Sequence, residues 1–285
     1  MTSAAHTHLL KMRRRLFRRK LVLVSIIVIL VLVALAILGP AIAPHDPSRI
    51  DVMNRLTPPG WEYLLGTDGF GRDILSRMLF GARLSLFVSL LVVLLATSLG
   101  TLAGIVAGYF EKLDGPIMRI MDATMAFPEI LLAIALMAAL GPSLFNVVIA
   151  LSVVYTPRMA RVVRASALVV ARMQFTEAAR SIGASSPRIL LRHILPSLLT
   201  PIIIQATFIF AYTILAESSL SFLGVGVPPE MPTWGNMINE GKPFFVQADW
   251  LMLIPGAAIV VTVVAFQTVG DGLRDMLDPR LRDID

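Results

Sequence analysis

The chain has 285 residues, of which 56% are apolar and only 15% charged, with 25 Lys+Arg against 19 Asp+Glu. That composition is far from soluble averages and excludes an ordinary water-soluble domain. The basic excess lies beside long apolar runs and not on an aromatic-studded surface, which excludes a nucleic-acid binder. The absence of cysteine excludes disulfides, thiolate metal sites and cysteine nucleophiles.

Residues 1–20 form a basic segment carrying Lys11, Arg13, Arg14, Arg15, Arg18, Arg19 and Lys20. The apolar run Leu21 to Leu38 exceeds a signal-peptide core and suffices to cross a bilayer, so 21–43 reads as a first span. Ala41-Ile42-Ala43 resembles a cleavage site and Arg14-Arg15-Leu16-Phe17 a partial twin-arginine signal, but the further spans outweigh both. Residues 44–83 read as an external loop rich in Pro, Gly and Asp. Its end places Ile74, Leu75, Met78 and Leu79 at helical spacing with Asp73, Ser76 and Arg77 opposite, which predicts a helix lying in the membrane interface. Asp68 and Asp73 lack the alternating acids of a calcium loop and read as solvated.

Five more spans are predicted between residues 84 and 285. The second covers about Leu84–Tyr109, where Gly100, Gly104 and Gly108 make a small-residue stripe for close helix packing. The third covers about Ala123–Leu140, with Pro128 and Glu129 near its start. The fourth begins near Leu144, and its apolar part ends by Thr156, too short for a core of roughly 30 Å. It must continue past Pro157 with Arg158, Arg161 and Arg164 near the membrane edge. Arginine at every third position resembles a voltage sensor, but the series stops at three after a proline, so snorkelling arginines are the better reading. The fifth span covers about Pro201–Ala216 and the sixth Leu251–Val269, separated by a loop from Glu217 to Asp249 and followed by a charged tail at 270–285.

Between the fourth and fifth spans lies a compact charged stretch at 172–198. Thr176 reads as a helix cap with Glu177 in the first turn, where a carboxylate meets the positive helix end. Gly183 suits the left-handed position that stops this helix. Ser186-Pro187 reads as the start of a second helix running through Leu195 and closed by Pro196. The two helices would form an angled knob. With the N-terminus inside, the knob falls on the side that holds 19 of the 25 Lys and Arg, which predicts a cytoplasmic knob and cytoplasmic termini.

Much familiar chemistry is missing. The apolar span centres carry no ionisable residue, and Glu129, Glu217 and Asp249 sit at span ends, which weighs against a proton-coupled carrier. Gly241-Lys242 stands alone and is followed by proline, so no phosphate-cradling loop is present. The four histidines, His6, His8, His45 and His193, are scattered and form no metal set. A secondary carrier or channel is the competing class, and an intramembrane enzyme lacks a nucleophile or metal. Any energy source must come from a partner.

Glu177-Ala178-Ala179, then Gly183, then His193-Ile194-Leu195-Pro196 resembles the EAA loop of permease subunits in bacterial ABC importers. Leu65-Gly66-Thr67-Asp68, Gly71-Arg72-Asp73, Ser76-Arg77, Gly81-Ala82-Arg83, Glu217 to Gly224, Trp234-Gly235 and Gly270 to Asp275 with Leu277 to Arg282 narrow this to the dipeptide, oligopeptide and nickel group. The resemblance implies an all-α polytopic membrane protein of six transmembrane helices, with a permease core at 84–285 and a coupling-helix loop. It implies that Glu177, Ala178, Ala179 and Gly183 dock an ATPase subunit, while Ser186, Pro187, His193 and Pro196 shape the loop. The implied partners are a sister permease in a heterodimer, two ABC ATPase subunits that bind ATP and Mg, and an external substrate-binding protein. The implied place is the bacterial inner membrane. The implied cargo is di- or oligopeptides, with nickel complexes, glutathione or oligosaccharides as alternatives. The chain itself is expected to bind no cofactor and to catalyse no reaction.

Overall fold

The computed structural model describes residues 20–277, which leaves the basic cluster Lys11 to Arg19 and the tail motif Asp278 to Arg282 outside the described residues. Among the described residues helices dominate, and Thr67 and Asp73 form only an isolated bridge. The helices are α1 (Lys20–Ile42), α2 (Ile74–Tyr109), α3 (Glu111–Met125), α4 (Glu129–Leu140), α5 (Leu144–Val170), α6 (Gln174–Ser181), α7 (Ser186–Phe222), α8 (Trp234–Gly241) and α9 (Trp250–Leu277). Five are long and apolar enough to cross a membrane, and the bent pair α3–α4 makes a sixth if taken as one span. Helices are the expected solution, because acyl chains cannot satisfy backbone N–H and C=O groups.

The third span departs from expectation. Instead of one helix over about 123–140, α3 and α4 meet at 90°. Pro128 caps α4 and pushes Phe127 out of helical geometry. The 12 residues of α4 rise only about 18 Å, roughly half the apolar core. No residue of α3 is buried, and its sequence is strongly amphipathic, as in a helix lying along a surface.

α5 is the most buried of the spans, and α2 packs directly on it. A Cβ at Gly100 would fall 2.5 Å from Met159 Cβ, at Gly104 2.6 Å from the Ala160 carbonyl oxygen, and at Gly108 2.7 Å from Ala167 Cβ. Backbone thus meets backbone along this seam. α1 lies outside it, between α2 and α9, with Gly39 against Leu79 and Gly272 against Val22.

At the end of the bundle away from α6, the structure corrects three expectations. The interfacial helix expected within 44–83 is the first part of α2 itself, so the predicted boundary at residue 84 falls inside one continuous helix. Its polar face turns into protein: Asp73 caps the helix, accepting from the Ser76 N–H at 3.0 Å, and Arg77 is 2% exposed. Asp68 and Asp73, expected to be solvated, are buried. Asp68 accepts from Arg72 Nε at 2.6 Å, and Glu240 on α8 accepts from Arg72 at 2.5 Å and Arg77 at 2.9 Å. Burial pushes the Glu240 carboxyl above the usual range, against the pull of Arg77 and Arg72. Glu217, read as the first residue of a loop, is fully buried inside α7, where it accepts from Ser221 Oγ at 2.9 Å. These side chains stay inside because each has a partner, and hydrogen-bonded pairing is what makes a buried charge tolerable.

Arg77→Ala leaves Glu240 short of one buried cation. It is expected to destabilise this end of the bundle by about 3 kcal/mol or more, whereas exposed Arg83→Ala changes stability by less than about 0.5 kcal/mol. Thermal unfolding in detergent should show a clear drop for the first variant only. Equal melting points would refute the assignment.

Candidate functional site

The charged stretch after α5 folds into two arms, one of them short. Only three residues lie between the end of α5 and the start of α6, so little slack separates them. Thr176, expected to cap α6, does not; Met173 holds that position and Glu177 remains in the first turn. Thr176 is instead fully buried, and its hydroxyl donates to the Val170 carbonyl at 2.9 Å, tying α6 to the end of α5.

α6 ends at Gly183, which adopts φ +77°. The Ala184 N–H donates to the Ala179 carbonyl at 3.1 Å, and the Gly183 N–H to the Arg180 carbonyl at 3.0 Å. These two bonds are a Schellman closure, which needs a left-handed residue at Gly183. No neighbouring atom lies within 4 Å of where a Cβ would sit, so glycine is required there by its backbone and not by crowding.

The second arm is longer than expected. Helix α7 begins at Ser186, with Ser185 at the cap and Pro187 in the first turn, and it does not stop at Pro196. Leu190–Ile194 form a widened turn in which the Leu195 N–H reaches back to the Leu190 carbonyl. A widened turn directly before the proline makes room for a ring that would otherwise clash with the carbonyl four residues earlier. The knob's second arm is therefore the first part of a spanning helix of 37 residues.

The predicted site residues separate into two groups. Glu177, Ala178 and Gly183 are exposed on the knob surface. Ala179, expected to dock a partner, turns inward at 7% exposure, because it faces the core that anchors α6. Ser186 is half-buried and accepts a long bond from the Tyr109 hydroxyl at 3.5 Å. Pro187 and Pro196 are exposed, while half-buried His193 faces Phe175 with ring centres 6.4 Å apart, joining the two arms. Ile182, beside Gly183, was not singled out from sequence, yet it is 85% exposed at the tip. An isoleucine next to a helix-stopping glycine is the signal that could have marked it. Arg180 lies 5.5 Å from the Tyr109 ring centre and fixes α6 against α2.

The three arginines of α5, expected near the membrane edge, each pair with a carboxylate of the bent pair. Arg158 pairs with Glu129, Arg161 with Asp122 at 2.6 Å, and Arg164 with Asp114. They tie α5 to the bent pair α3–α4.

A family profile described as "Binding-protein-dependent transport system inner membrane component" matches residues 100–283, and one described as "N-terminal TM domain of oligopeptide transport permease C" matches residues 9–59. A Brucella suis protein described as a peptide transport system permease is 49% identical over 271 residues, covering 95% of this chain and 90% of its own. A dipeptide transport system permease of Alkalihalophilus pseudofirmus is 42% identical, covering 94% and 89%. A glutathione transport system permease of Escherichia coli is 43% identical with the same coverage. In structure, a chain of the MetNI methionine ABC transporter in an inward-facing conformation superposes with a TM-score of 0.58 at 19% identity, covering 70% of this chain and 95% of that one. This last likeness concerns the fold.

Gly183→Val forces a β-branched residue into the left-handed region, a cost of about 1–2 kcal/mol that loosens the tip. Tryptic cleavage at Arg180 and Arg188 in the otherwise intact protein should rise about ten-fold, and far less for Gly183→Asn. Unchanged cleavage would show that the closure does not hold the knob.

Proposed function

The chain belongs to the family of binding-protein-dependent transport system inner membrane components, and on that basis we propose that it is the permease subunit of an ATP-driven importer that moves di- or oligopeptides into the cytoplasm. The observation that carries the reading is the knob: an exposed, locked tip joined with little slack to two spanning helices. A flexible loop would absorb a push. This one passes it on to α5 and α7.

The tip formed by Glu177, Ala178, Ile182 and Gly183 inserts into a cleft of a cytoplasmic ATPase subunit. Ile182 is the apolar anchor, and Glu177 pairs with a basic residue of the partner. Ala179 and Thr176 hold the knob to its own bundle from behind. ATP and Mg are bound by two such ATPase subunits. Their closure on ATP draws the knobs together, and the path switches from inward-facing to outward-facing. A sister permease completes the path as a heterodimer, and an external binding protein delivers the peptide. The knob and both termini then lie in the cytoplasm and the Arg77–Glu240 cluster on the outer face of the bacterial inner membrane, in keeping with the distribution of basic residues. The permease carries out no covalent chemistry. It holds two packings of similar energy that its partners bias.

Peptide as cargo follows from the relatives described as peptide and dipeptide permeases. Glutathione, itself a short peptide, is a second reading favoured by the 43% identical relative.

In proteoliposomes holding the whole transporter, Ile182→Asp should lower peptide-stimulated ATP hydrolysis at least about ten-fold, as expected for loss of an interface anchor of 2 kcal/mol or so. Glu177→Ala should lower it less, and both variants should still assemble in the membrane. Full coupling in Ile182→Asp refutes the docking assignment. For the cargo, a strain lacking this chain should fail to grow on dipeptides as sole amino-acid source while nickel uptake stays normal; undiminished growth refutes the peptide reading.

A further inference from the structure

Between α4, α5 and α7 lies a cleft of about 310 Å³ that the knob does not use. That is the lower end of the size range for small-molecule sites. Tyr155 lies on its wall eleven residues from the start of α5, about 17 Å along a helix that must cross a core of roughly 30 Å. The cleft therefore opens near mid-depth.

Its chemistry is uneven. Leu151 and Val154 supply apolar wall, and Glu129, Tyr155, Tyr212 and Ser219 add polar groups. Two of these are already spent, since the Tyr155 hydroxyl donates to the Tyr212 carbonyl at 3.2 Å and the Ser219 hydroxyl to the Leu215 carbonyl at 2.7 Å. What remains for a guest is the Glu129 carboxylate, 39% exposed, the Tyr212 hydroxyl and the faces of the aromatic rings. Arg158 stands at the rim, paired with Glu129 and with its guanidinium 4.8 Å from the Tyr212 ring centre. It acts as a built-in cation on a carboxylate and a ring, the pair of groups that recognises ammonium ions. A carboxylate and a guanidinium partly exposed at this depth do not face acyl chains, where each would cost several kcal/mol. They face protein or water.

We propose that this cleft is a station on the translocation path for the ammonium end of a short peptide. This rests on the importer reading. The peptide's ammonium displaces Arg158 from Glu129 and sits against the Tyr212 face. Arg158, released from Glu129, then meets the peptide's carboxylate, and Leu151 and Val154 accept an apolar side chain. Because Arg158 restores the Glu129 pair whenever the guest leaves, neither charge is left bare, and the guest is held weakly enough to move on.

The chain has no cysteine, so one can be introduced as a reporter. In the full transporter, with cysteines of the partner subunits replaced, Ser219→Cys is treated with methanethiosulfonate reagents of equal size bearing an ammonium or a sulfonate group. The ammonium reagent should react about ten-fold faster, the effect of one nearby carboxylate in a confined site. Glu129→Gln in the same background leaves Arg158 unpaired and should bring the ratio to one or below, and Glu129→Asp, which keeps the charge, should preserve it. A free dipeptide should slow the ammonium reagent and its N-acetyl derivative should not. Equal rates in the parent, a ratio unchanged by Glu129→Gln, or no labelling by either reagent overturns the assignment. Peptide uptake by the parent is measured alongside. Uptake without charge preference refutes the cleft alone, whereas charge preference without any peptide uptake refutes the importer reading.

Discussion

Backbone contact between α2 and α5 is the constraint on which the rest of the structure depends. Lipid tails are as apolar as leucine, so two spans gain little by hiding side chains from them and must gain by close packing. Gly100, Gly104 and Gly108 remove the side chains that would hold α5 away, and Met159, Ala160, Val163 and Ala167 fill the space to zero exposure. With α5 fixed there, its remaining faces acquire their roles. One carries Arg158, Arg161 and Arg164 toward the bent pair, another carries Tyr155 into the cleft, and its end carries the knob.

Much of this was legible in the sequence because bilayer physics leaves few options. Apolar runs of sufficient length, a glycine every fourth residue and a glycine between two short helices each have one economical explanation. The unread parts are those where partners distant in sequence decide the outcome. Arg77 looks like the wet face of an interfacial helix until Glu240, 163 residues away, is placed beside it. Glu217 looks like a loop residue until Ser221 and Ser85 turn to meet it. Pro196 ends a helix in most contexts, and here the widened turn before it lets the helix run on. In each case local pattern was overruled by a compensating contact that pattern cannot display.

The ion pairs of α5 differ in kind from the glycine seam. Arg161 and Asp122 are about half exposed, a setting in which such pairs contribute only about 0.2–1 kcal/mol and can be broken and remade with little loss. The seam behaves otherwise, since its backbone contacts leave no space in which to slide without first opening a void. α2 and α5 are thus packed as one body, whereas the ion pairs that tie α3 and α4 to it yield more readily.

This division bears on how a displacement at the knob would travel. Thr176 ties α6 to the end of α5, the Schellman closure fixes its tip, and the unbroken α7 carries the other arm across the bundle. On the importer reading, a push at Ile182 therefore moves α5 and α7 together, and these are two of the three walls of the cleft. The third wall, α4, is held to α5 by the Glu129–Arg158 pair, and that is the contact a guest ammonium would exchange. Knob and cargo would then act on one element from opposite ends: the knob shifts the stiff walls, and the cargo loosens the pair that makes the third wall follow. Coupling of this kind needs no wire of residues between the two sites. It needs a rigid seam, a weak pair and a helix broken at Pro128, and the chain has all three.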